Sequence, residues 1–163
     1  MKKSYAVVTG ASSGIGECFA RRLAKEGYSL VLVARRKERL NRLADELKAE
    51  GTHVVIETAD LSKKDECLRL MSALGDKRIG VFINNAGFGD CGRFADTSLD
   101  KDLDMIDVNI RAVHILTKLV LRKMRSQGGG YLLNVASSAG LIPAGPYMAT
   151  YYASKAYVAS MTR

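Results

Sequence analysis

The stretch YAVVTGASSGIG, residues 5–16, decides the fold of this chain. Its apolar, β-branched first half predicts a strand, and Gly10, Gly14 and Gly16 precede a segment with amphipathic helical spacing. Glycines allow a tight turn and let main-chain N–H groups approach a phosphate at the positive end of the helix that begins near Gly14. The spacing is GxxxGxG and not GxGxxG, because Phe19 stands where a third glycine would be. The turn predicts a pyrophosphate site, with a plain strand-to-helix turn as the alternative.

The alternation of short apolar strands and longer helical segments continues along the chain. Strands are predicted at residues 5–9, 29–34, 53–57, 79–83 and 131–136. They are nearly continuous apolar runs, as expected when helices cover both faces of a parallel sheet. We therefore predict an α/β fold, a doubly wound parallel sheet with helices on both faces.

Two helices in the second half of the chain have clear patterns. A long helix is predicted over residues 102–126, stopping at the glycine run 128–130. Its predicted buried positions are Ile106, Val113, Leu116 and Val120. A last helix begins near Ala149, and its apolar pattern continues to Arg163.

Composition limits the class of protein. With 163 residues, of which 47% are hydrophobic, the chain predicts one soluble domain over residues 1–163. The apolar run near the N-terminus is far shorter than the ~20 residues of a membrane span, so we expect a cytoplasmic protein without a membrane partner. The lysines and arginines behind the net charge of +8 are interspersed with acids, which argues against a nucleic-acid partner. The net positive field favours a phosphorylated small molecule.

Metal-binding and disulfide patterns are missing from the sequence. Cys18, Cys67 and Cys91 form no CxxC pair, and His53 and His114 have no carboxylate or cysteine arranged with them as ligands. We predict reduced thiols and no metal.

The end of the second strand indicates which dinucleotide binds. In dinucleotide folds an acid about 20 residues beyond the glycines bonds the ribose 2′-hydroxyl, whereas an arginine accommodates a 2′-phosphate. Residues 28–37 contain no acid, and Arg35 and Arg36 occupy this place. The pattern predicts NADP, with solvated charges at a helix start as the alternative.

Tyr151 and Lys155 are four residues apart in the last predicted helix and are therefore neighbours on one face. Lowering a phenol pKa from ~10 to ~7 needs about 4 kcal/mol of preferential phenolate stabilisation. One nearby ammonium in a partly desolvated site supplies roughly that amount. The pair can therefore act as a general acid for carbonyl reduction or a base for alcohol oxidation. In isolation such a pair is usually only a surface contact.

Five motifs occur together in chain order. They are the glycine turn, Asn84-Asn85-Ala86-Gly87, Val108-Asn109, Ser137-Ser138 and Tyr151-x-x-x-Lys155. Their order and approximate spacing resemble the short-chain dehydrogenase/reductase family, and the resemblance covers the whole chain. It implies a Rossmann-like fold and a nicotinamide cofactor.

The resemblance also implies catalytic roles. Tyr151 would be the acid/base, Lys155 would bond the nicotinamide ribose and lower the tyrosine pKa, and Asn109 would hold a water of the proton relay. A serine would bond the substrate oxygen. Counting forward from Asn134 selects Ser137, counting back from Tyr151 selects Ser138, and we prefer Ser137 with a one-residue insertion in the loop through Pro143 and Pro146.

A larger set is predicted to bind the cofactor. From the resemblance, Asp60 contacts the adenine beside the Leu61 main chain, and the segment after the fourth strand both braces the sheet and flanks the cofactor. Besides Tyr151 and Lys155, the set is Gly10, Ser12, Ser13, Gly14, Ile15, Gly16, Arg35, Arg36, Asp60, Leu61, Asn84, Ala86 and Gly87.

The chain ends eight residues after Lys155. Family members continue with further strands, a proline-glycine segment that meets the nicotinamide, and a variable loop that closes on the substrate. We therefore expect the C-terminal substrate-loop region to be absent and the fifth strand to be an exposed apolar edge, which favours a homo-oligomer.

Two functions follow from these patterns. The first is an NADPH-dependent carbonyl reductase, or an alcohol dehydrogenase running in reverse, acting on a small carbonyl or alcohol substrate. The alternative is an NADP-binding fragment without turnover, because of the early end. A purely structural interaction domain leaves the five motifs unexplained, and the fold does not choose the substrate.

Overall fold

The computed structural model describes residues 4–142 and 146–163. The first half contains β1 (Tyr5–Thr9), α1 (Gly14–Lys25), β2 (Ser29–Ala34), α2 (Lys37–Ala49), β3 (Val54–Thr58), α3 (Lys64–Ala73) and β4 (Ile79–Asn84). The second half contains α4 (Leu99–Ile106), a π-helical turn (Asp107–Ala112), α5 (Val113–Ser126), β5 (Tyr131–Asn134), a 3₁₀ turn (Ser138–Gly140) and α6 (Ala149–Thr162).

The strands form one parallel sheet in the order β3-β2-β1-β4-β5. The chain proceeds outward from β1 to β3 and then returns to pair β4 with the other side of β1. The strand order thus reverses between β1 and β4, and ligands of open α/β sheets bind in the crevice at the carboxyl ends of such strands. The predicted Rossmann-like fold class is confirmed. β3 begins one residue later than predicted, and β5 ends two residues earlier.

Two apolar layers cover the sheet. Strand β2 is buried along its whole length. Leu30 and Leu32 pack among the apolar residues of α1 and α2, whereas Val31 and Val33 pack among those of α3 and α5. Because successive side chains of a strand point to opposite faces, a continuous apolar run is what a strand between two helical layers requires.

The long predicted helix is interrupted by the π-helical turn between α4 and α5. The helical run begins at Leu99, three residues earlier than predicted. Val113 and the predicted positions that follow it in α5 are buried, but Ile106 is 39% exposed and Met105 is buried in its place. The prediction for Ile106 was wrong because a π turn accommodates one extra residue and rotates the preceding helix relative to the following one.

Strand β5 forms one edge of the described sheet. Tyr131 and Leu133 are 77% and 44% exposed, so this edge carries apolar side chains, as predicted. The homo-oligomer stays a prediction. Over residues 4–142 and 146–163, no helix has the length and apolar composition needed to cross a bilayer.

Candidate active site

A cleft of about 810 Å³ opens at the carboxyl ends of the strands. The turn after β1, the segment after β4 and one face of α6 all contribute to its walls. This is the crevice that the reversal of strand order creates. The predicted phosphate turn and the predicted tyrosine–lysine pair therefore line one continuous cavity.

The glycines of the turn have separate structural tasks. Gly10 and Gly14 have φ values of +67° and +56°, in the left-handed region that favours glycine. A Cβ on Gly10 would lie 2.8 Å from Asn85 Nδ2, and one on Gly16 would collide with the Gly10 carbonyl oxygen. Gly16 is buried and allows close packing, while Gly10 lines the cleft.

The N-terminus of α1 lacks a side-chain cap. Its N-cap residue, Ser13, is extended, and its hydroxyl accepts no hydrogen bond from the first turn of the helix. Ser12, Ser13 and Ile15 line the cleft next to this end. Main-chain N–H groups at an uncapped helix start carry partial positive charge and suit an anionic ligand.

Arg36 joins the end of β2 to the glycine turn. Its guanidinium donates hydrogen bonds to Ser12 Oγ at 3.1 Å and to Ser13 Oγ at 2.9 Å. Arg35 also lines the cleft. The structure thus brings both predicted arginines to the same wall as the turn.

Asp60 and Leu61 lie at the cleft beyond the end of β3. Asp60 Oδ1 accepts hydrogen bonds from the Ser62 main-chain N–H at 3.2 Å and from the Ser62 hydroxyl at 2.9 Å. This local turn fixes the carboxylate at the rim of the cleft.

Asn84 does not line the cleft, and its predicted contact with the cofactor stays a prediction. It is 2% exposed, and its amide donates to Asn134 Oδ1 at 2.8 Å and to Thr117 Oγ1 at 3.1 Å. Asn84 is the last residue of β4, and its side chain points toward α5 and the neighbouring strand. It therefore braces the sheet, which is one of its two predicted roles.

Asn85 occupies the cleft position instead, together with Ala86 and Gly87. Its main-chain N–H donates to Thr9 Oγ1, and its side-chain amide donates to the Thr9 carbonyl, both at 3.0 Å. Asn85 thus ties the segment after β4 to the glycine turn. Asn85 was not predicted to bind the cofactor, although its position next to Asn84 in the predicted motif was a sequence signal for this role.

Tyr151 and Lys155 both line the cleft from α6. Lys155 is only 6% exposed, and its Nζ lies 5.9 Å from the Tyr151 ring centroid. Nζ donates to the Val135 carbonyl at 2.9 Å. Burial lowers the pKa of Lys155.

The segment after β4 passes directly against this pair. A Cβ on Gly87 would lie 2.9 Å from Asn109 Oδ1 and 3.5 Å from Lys155 Nζ. A Cβ on Gly89 would lie 3.0 Å from Tyr151 Cδ2. The absence of a side chain lets the main chain pack against Asn109 at Gly87 and against the Tyr151 ring at Gly89.

Asn109 lies in the π-helical turn and is 1% exposed. Its amide donates to the Phe88 carbonyl at 2.8 Å and to Ser154 Oγ at 3.1 Å, and its Oδ1 accepts from the Phe88 N–H at 3.1 Å. Both amide protons are thereby used, so the predicted water would have to be held by the main chain of this residue. Asn109 lies behind the cleft wall and does not line it.

The two candidate serines lie after β5, and neither lines the cleft. Ser137 is half-buried and its Oγ accepts from the Ala139 N–H at 3.2 Å, whereas Ser138 is exposed. Pro143 lies outside the described residues, so the predicted insertion and the choice between the serines stay predictions.

Several cleft residues were not predicted from the sequence. Phe88, Asp90, Cys91 and Met148 also line it. Asp90 is paired with Lys101 Nζ at 2.6 Å, and this lysine holds the pKa of the carboxyl below its usual value. Within the described part of the chain, no group of three His, Cys, Asp or Glu side chains could hold a metal ion, and the absence of a metal stays a prediction.

A doubly wound sheet, an uncapped helix at the strand crossover and a tyrosine beside a buried lysine together are the features of a dinucleotide-binding fold. The chain belongs to the short-chain dehydrogenase family, whose family model matches residues 4–163.

Known members of this family resemble the chain over nearly all of its residues. A very-long-chain 3-oxoacyl-CoA reductase of Anas platyrhynchos is 38% identical, over 98% of this chain and 53% of the relative. The chain thus spans about half the length of that reductase.

Solved structures show the same similarity. A short-chain dehydrogenase from Sphingobium yanoikuyae in complex with NADPH is 37% identical, with a TM-score of 0.92 over 98% of this chain and 63% of that one. A family member from Burkholderia phymatum in complex with NAD is 33% identical, with a TM-score of 0.92 over 98% of this chain and 58% of that one.

Proposed function

We propose that this chain carries the cofactor site and reacting residues of an NADP(H)-dependent oxidoreductase that interconverts a carbonyl and a secondary alcohol. The observation that carries the proposal is that Tyr151 and Lys155 line the same cleft as the uncapped N-terminus of α1. An anion-binding helix start and a proton-transfer pair on one cavity suit a dinucleotide and a reacting oxygen.

The residues of the cleft fit the dinucleotide. The glycine turn leaves main-chain N–H groups accessible, and open space lies where a Gly14 side chain would be. Arg35 and Arg36 suit a 2′-phosphate, and no acid near the end of β2 competes for a ribose hydroxyl. Neighbouring structures include both NADPH and NAD complexes, so the preference for NADP rests on these two arginines.

When bound, the nicotinamide supplies a hydride for reduction or accepts one for oxidation. In reduction, the Tyr151 phenol donates its proton to the carbonyl oxygen, and in oxidation the phenolate removes the alcohol proton. An ammonium has three N–H donors, and Lys155 uses one of them on Val135. The other two would be available to a ribose hydroxyl and to the Tyr151 phenolate. Ser137 or Ser138 would bond the substrate oxygen, and the Asn109 main chain would hold a water of the proton relay.

Cofactor choice is tested by titrating NADPH and NADH against the purified chain and following the nicotinamide fluorescence. We expect tighter binding of NADPH, with at least about tenfold loss in Arg36→Ala, because a charged contact to the phosphate is removed. Arg39→Ala is the matched control, since Arg39 is exposed on the same helix and does not line the cleft. Preference for NADH, or equal loss in both variants, would sink the assignment to NADP.

Turnover is tested by NADPH oxidation with a panel of ketones and aldehydes, and Tyr151→Phe is the diagnostic variant. We expect Tyr151→Phe to bind NADPH normally and to lose at least about a hundredfold in kcat. Unchanged activity in this variant would remove Tyr151 as the acid. Binding without oxidation of NADPH by the unmodified chain would favour the alternative, a nucleotide-binding fragment.

A further inference from the structure

Ser154 lies between the two members of the proposed catalytic pair in sequence and is completely buried. Its hydroxyl donates to the Tyr151 main-chain carbonyl at 2.7 Å. The same oxygen accepts a hydrogen bond from Asn109 Nδ2 at 3.1 Å. One hydroxyl thus connects the helix that carries the pair to the π-helical turn.

The connection continues to the cleft wall. The Asn109 side chain holds both the N–H and the carbonyl of Phe88, at 3.1 Å and 2.8 Å. Phe88 lies between Gly87 and Gly89, the two positions where the main chain packs against Lys155 Nζ and the Tyr151 ring. Three separate segments of the chain therefore meet through the Ser154 hydroxyl and the Asn109 amide.

Among the described residues, no side chain other than Ser154 forms a hydrogen bond with the first turn of α6. Met148, its N-cap residue, provides no side-chain hydrogen bond, and Tyr151 is in the first turn of the helix. First turns without caps fray readily because their N–H groups lack helical partners. Ser154 instead stabilises this turn by donating a hydrogen bond to the Tyr151 main-chain carbonyl.

We propose that Ser154 is a positioning residue, which holds the turn of Tyr151 and Lys155 in register with the cleft wall through Asn109. The inference rests on the proposed function of this pair. Replacing Ser154 with alanine removes one donor and leaves the buried Asn109 amide short of a partner. The first turn of α6 then shifts relative to Gly87 and Gly89.

The test compares Ser154→Ala with Ser29→Ala in the full chain. Ser29 is also buried, at 6% exposure, but it lies in β2 at the opposite end of the sheet from the cleft. We expect Ser154→Ala to lower kcat by about tenfold while the NADPH dissociation constant changes less than about twofold. Ser29→Ala should leave both values unchanged. Ser154→Thr, which keeps the hydroxyl, should retain kcat within about threefold.

A second measurement does not depend on turnover. The Lys155 ammonium can be titrated by NMR of ¹³Cε-labelled lysine, with its signal assigned by its loss in Lys155→Met. We expect the depressed pKa of Lys155 to move back toward 10.5 in Ser154→Ala, because a loosened turn admits water to Nζ. It should stay depressed in Ser29→Ala and Ser154→Thr.

The outcomes separate the two proposals. If the unmodified chain binds no NADPH or shows no turnover, the proposed function fails, and the NMR titration still decides whether Ser154 positions the pair. If Ser154→Ala leaves both kcat and the Lys155 titration at wild-type values, the positioning role is overturned. A lowered thermal midpoint with neither change would assign Ser154 to packing alone and also overturn it.

Discussion

Gly89 packs against the ring of Tyr151, at a distance where an added Cβ atom would crowd the ring. A Cβ at this position would be 3.0 Å from Tyr151 Cδ2 and 3.4 Å from Cε2 and Cγ. The ring position is therefore set partly by the absence of a side chain on the facing loop. This contact leads to the first prediction.

Gly89→Ala should displace the Tyr151 ring and lower kcat by about tenfold, with little change in NADPH affinity. The control is Gly92→Ala in the same loop, where an added Cβ would meet Thr97 Cγ2 and not the tyrosine. Steady-state kinetics and fluorescence titration measure both quantities. Equal kcat losses in the two variants would show that loop distortion, and not the ring contact, causes the effect.

Lys155 should make stability depend on pH in a defined direction. Because burial lowers its folded-state pKa below 10.5, the unfolded chain binds more protons between the two values. The contribution of Lys155 to the free energy of unfolding should therefore rise with pH through this window and be least favourable below it. Urea unfolding of the chain and of Lys155→Met across this range measures the difference. A stability difference independent of pH would contradict the shifted pKa.

Asn84 and Asn85 should respond differently to replacement by alanine. Asn84→Ala should lower the free energy of unfolding by about 1–3 kcal/mol, because it removes two buried hydrogen bonds that join β4 to α5 and β5. Its NADPH affinity should change less than about twofold. Asn85→Ala should weaken NADPH binding, since Asn85 joins the cleft wall to the glycine turn. If Asn84→Ala weakened NADPH binding and Asn85→Ala did not, the result would support the predicted contact between Asn84 and the cofactor.

The three cysteines should react with iodoacetamide in a pattern set by burial. Cys67 is completely buried, which raises its pKa to about 11, so it should stay unmodified in the folded chain. Cys18 and Cys91 are exposed and should be labelled. Only Cys91 lines the cleft, so NADPH should slow its labelling and not that of Cys18. Peptide mass spectrometry follows each site, and equal protection of both would place the cofactor elsewhere.

The strands and the glycine turn were predictable because their signals are local. Buried strands such as β2 must be apolar throughout, and the left-handed backbone at Gly10 and Gly14 restricts the residue type. Tyr151 and Lys155 were also accessible to sequence reasoning, since helical spacing alone places them on one face.

The remaining features depend on tertiary structure. Asn84 and Asn85 are adjacent and identical in type. Which of the two side chains faces the cleft depends on where β4 ends, and β4 ends at Asn84. Ser154 has no sequence pattern of its own, because its partners are 3 and 45 positions away. Ile106 fits the apolar helical period, but the period itself changes at the π-helical turn.

Because of the π-helical turn, the structure depends on how many residues lie between α4 and α5 as well as on which residues they are. Deleting one residue from Asp107–Ala112 would remove the extra residue that the π turn accommodates, would let a regular α-helix run through the segment and would change the direction of the Asn109 side chain. The hydrogen bonds of Asn109 to Phe88 and Ser154 would then be lost without any change in the side chains that make them. The segment should therefore be sensitive to a change in its length as well as to replacement of Asn109.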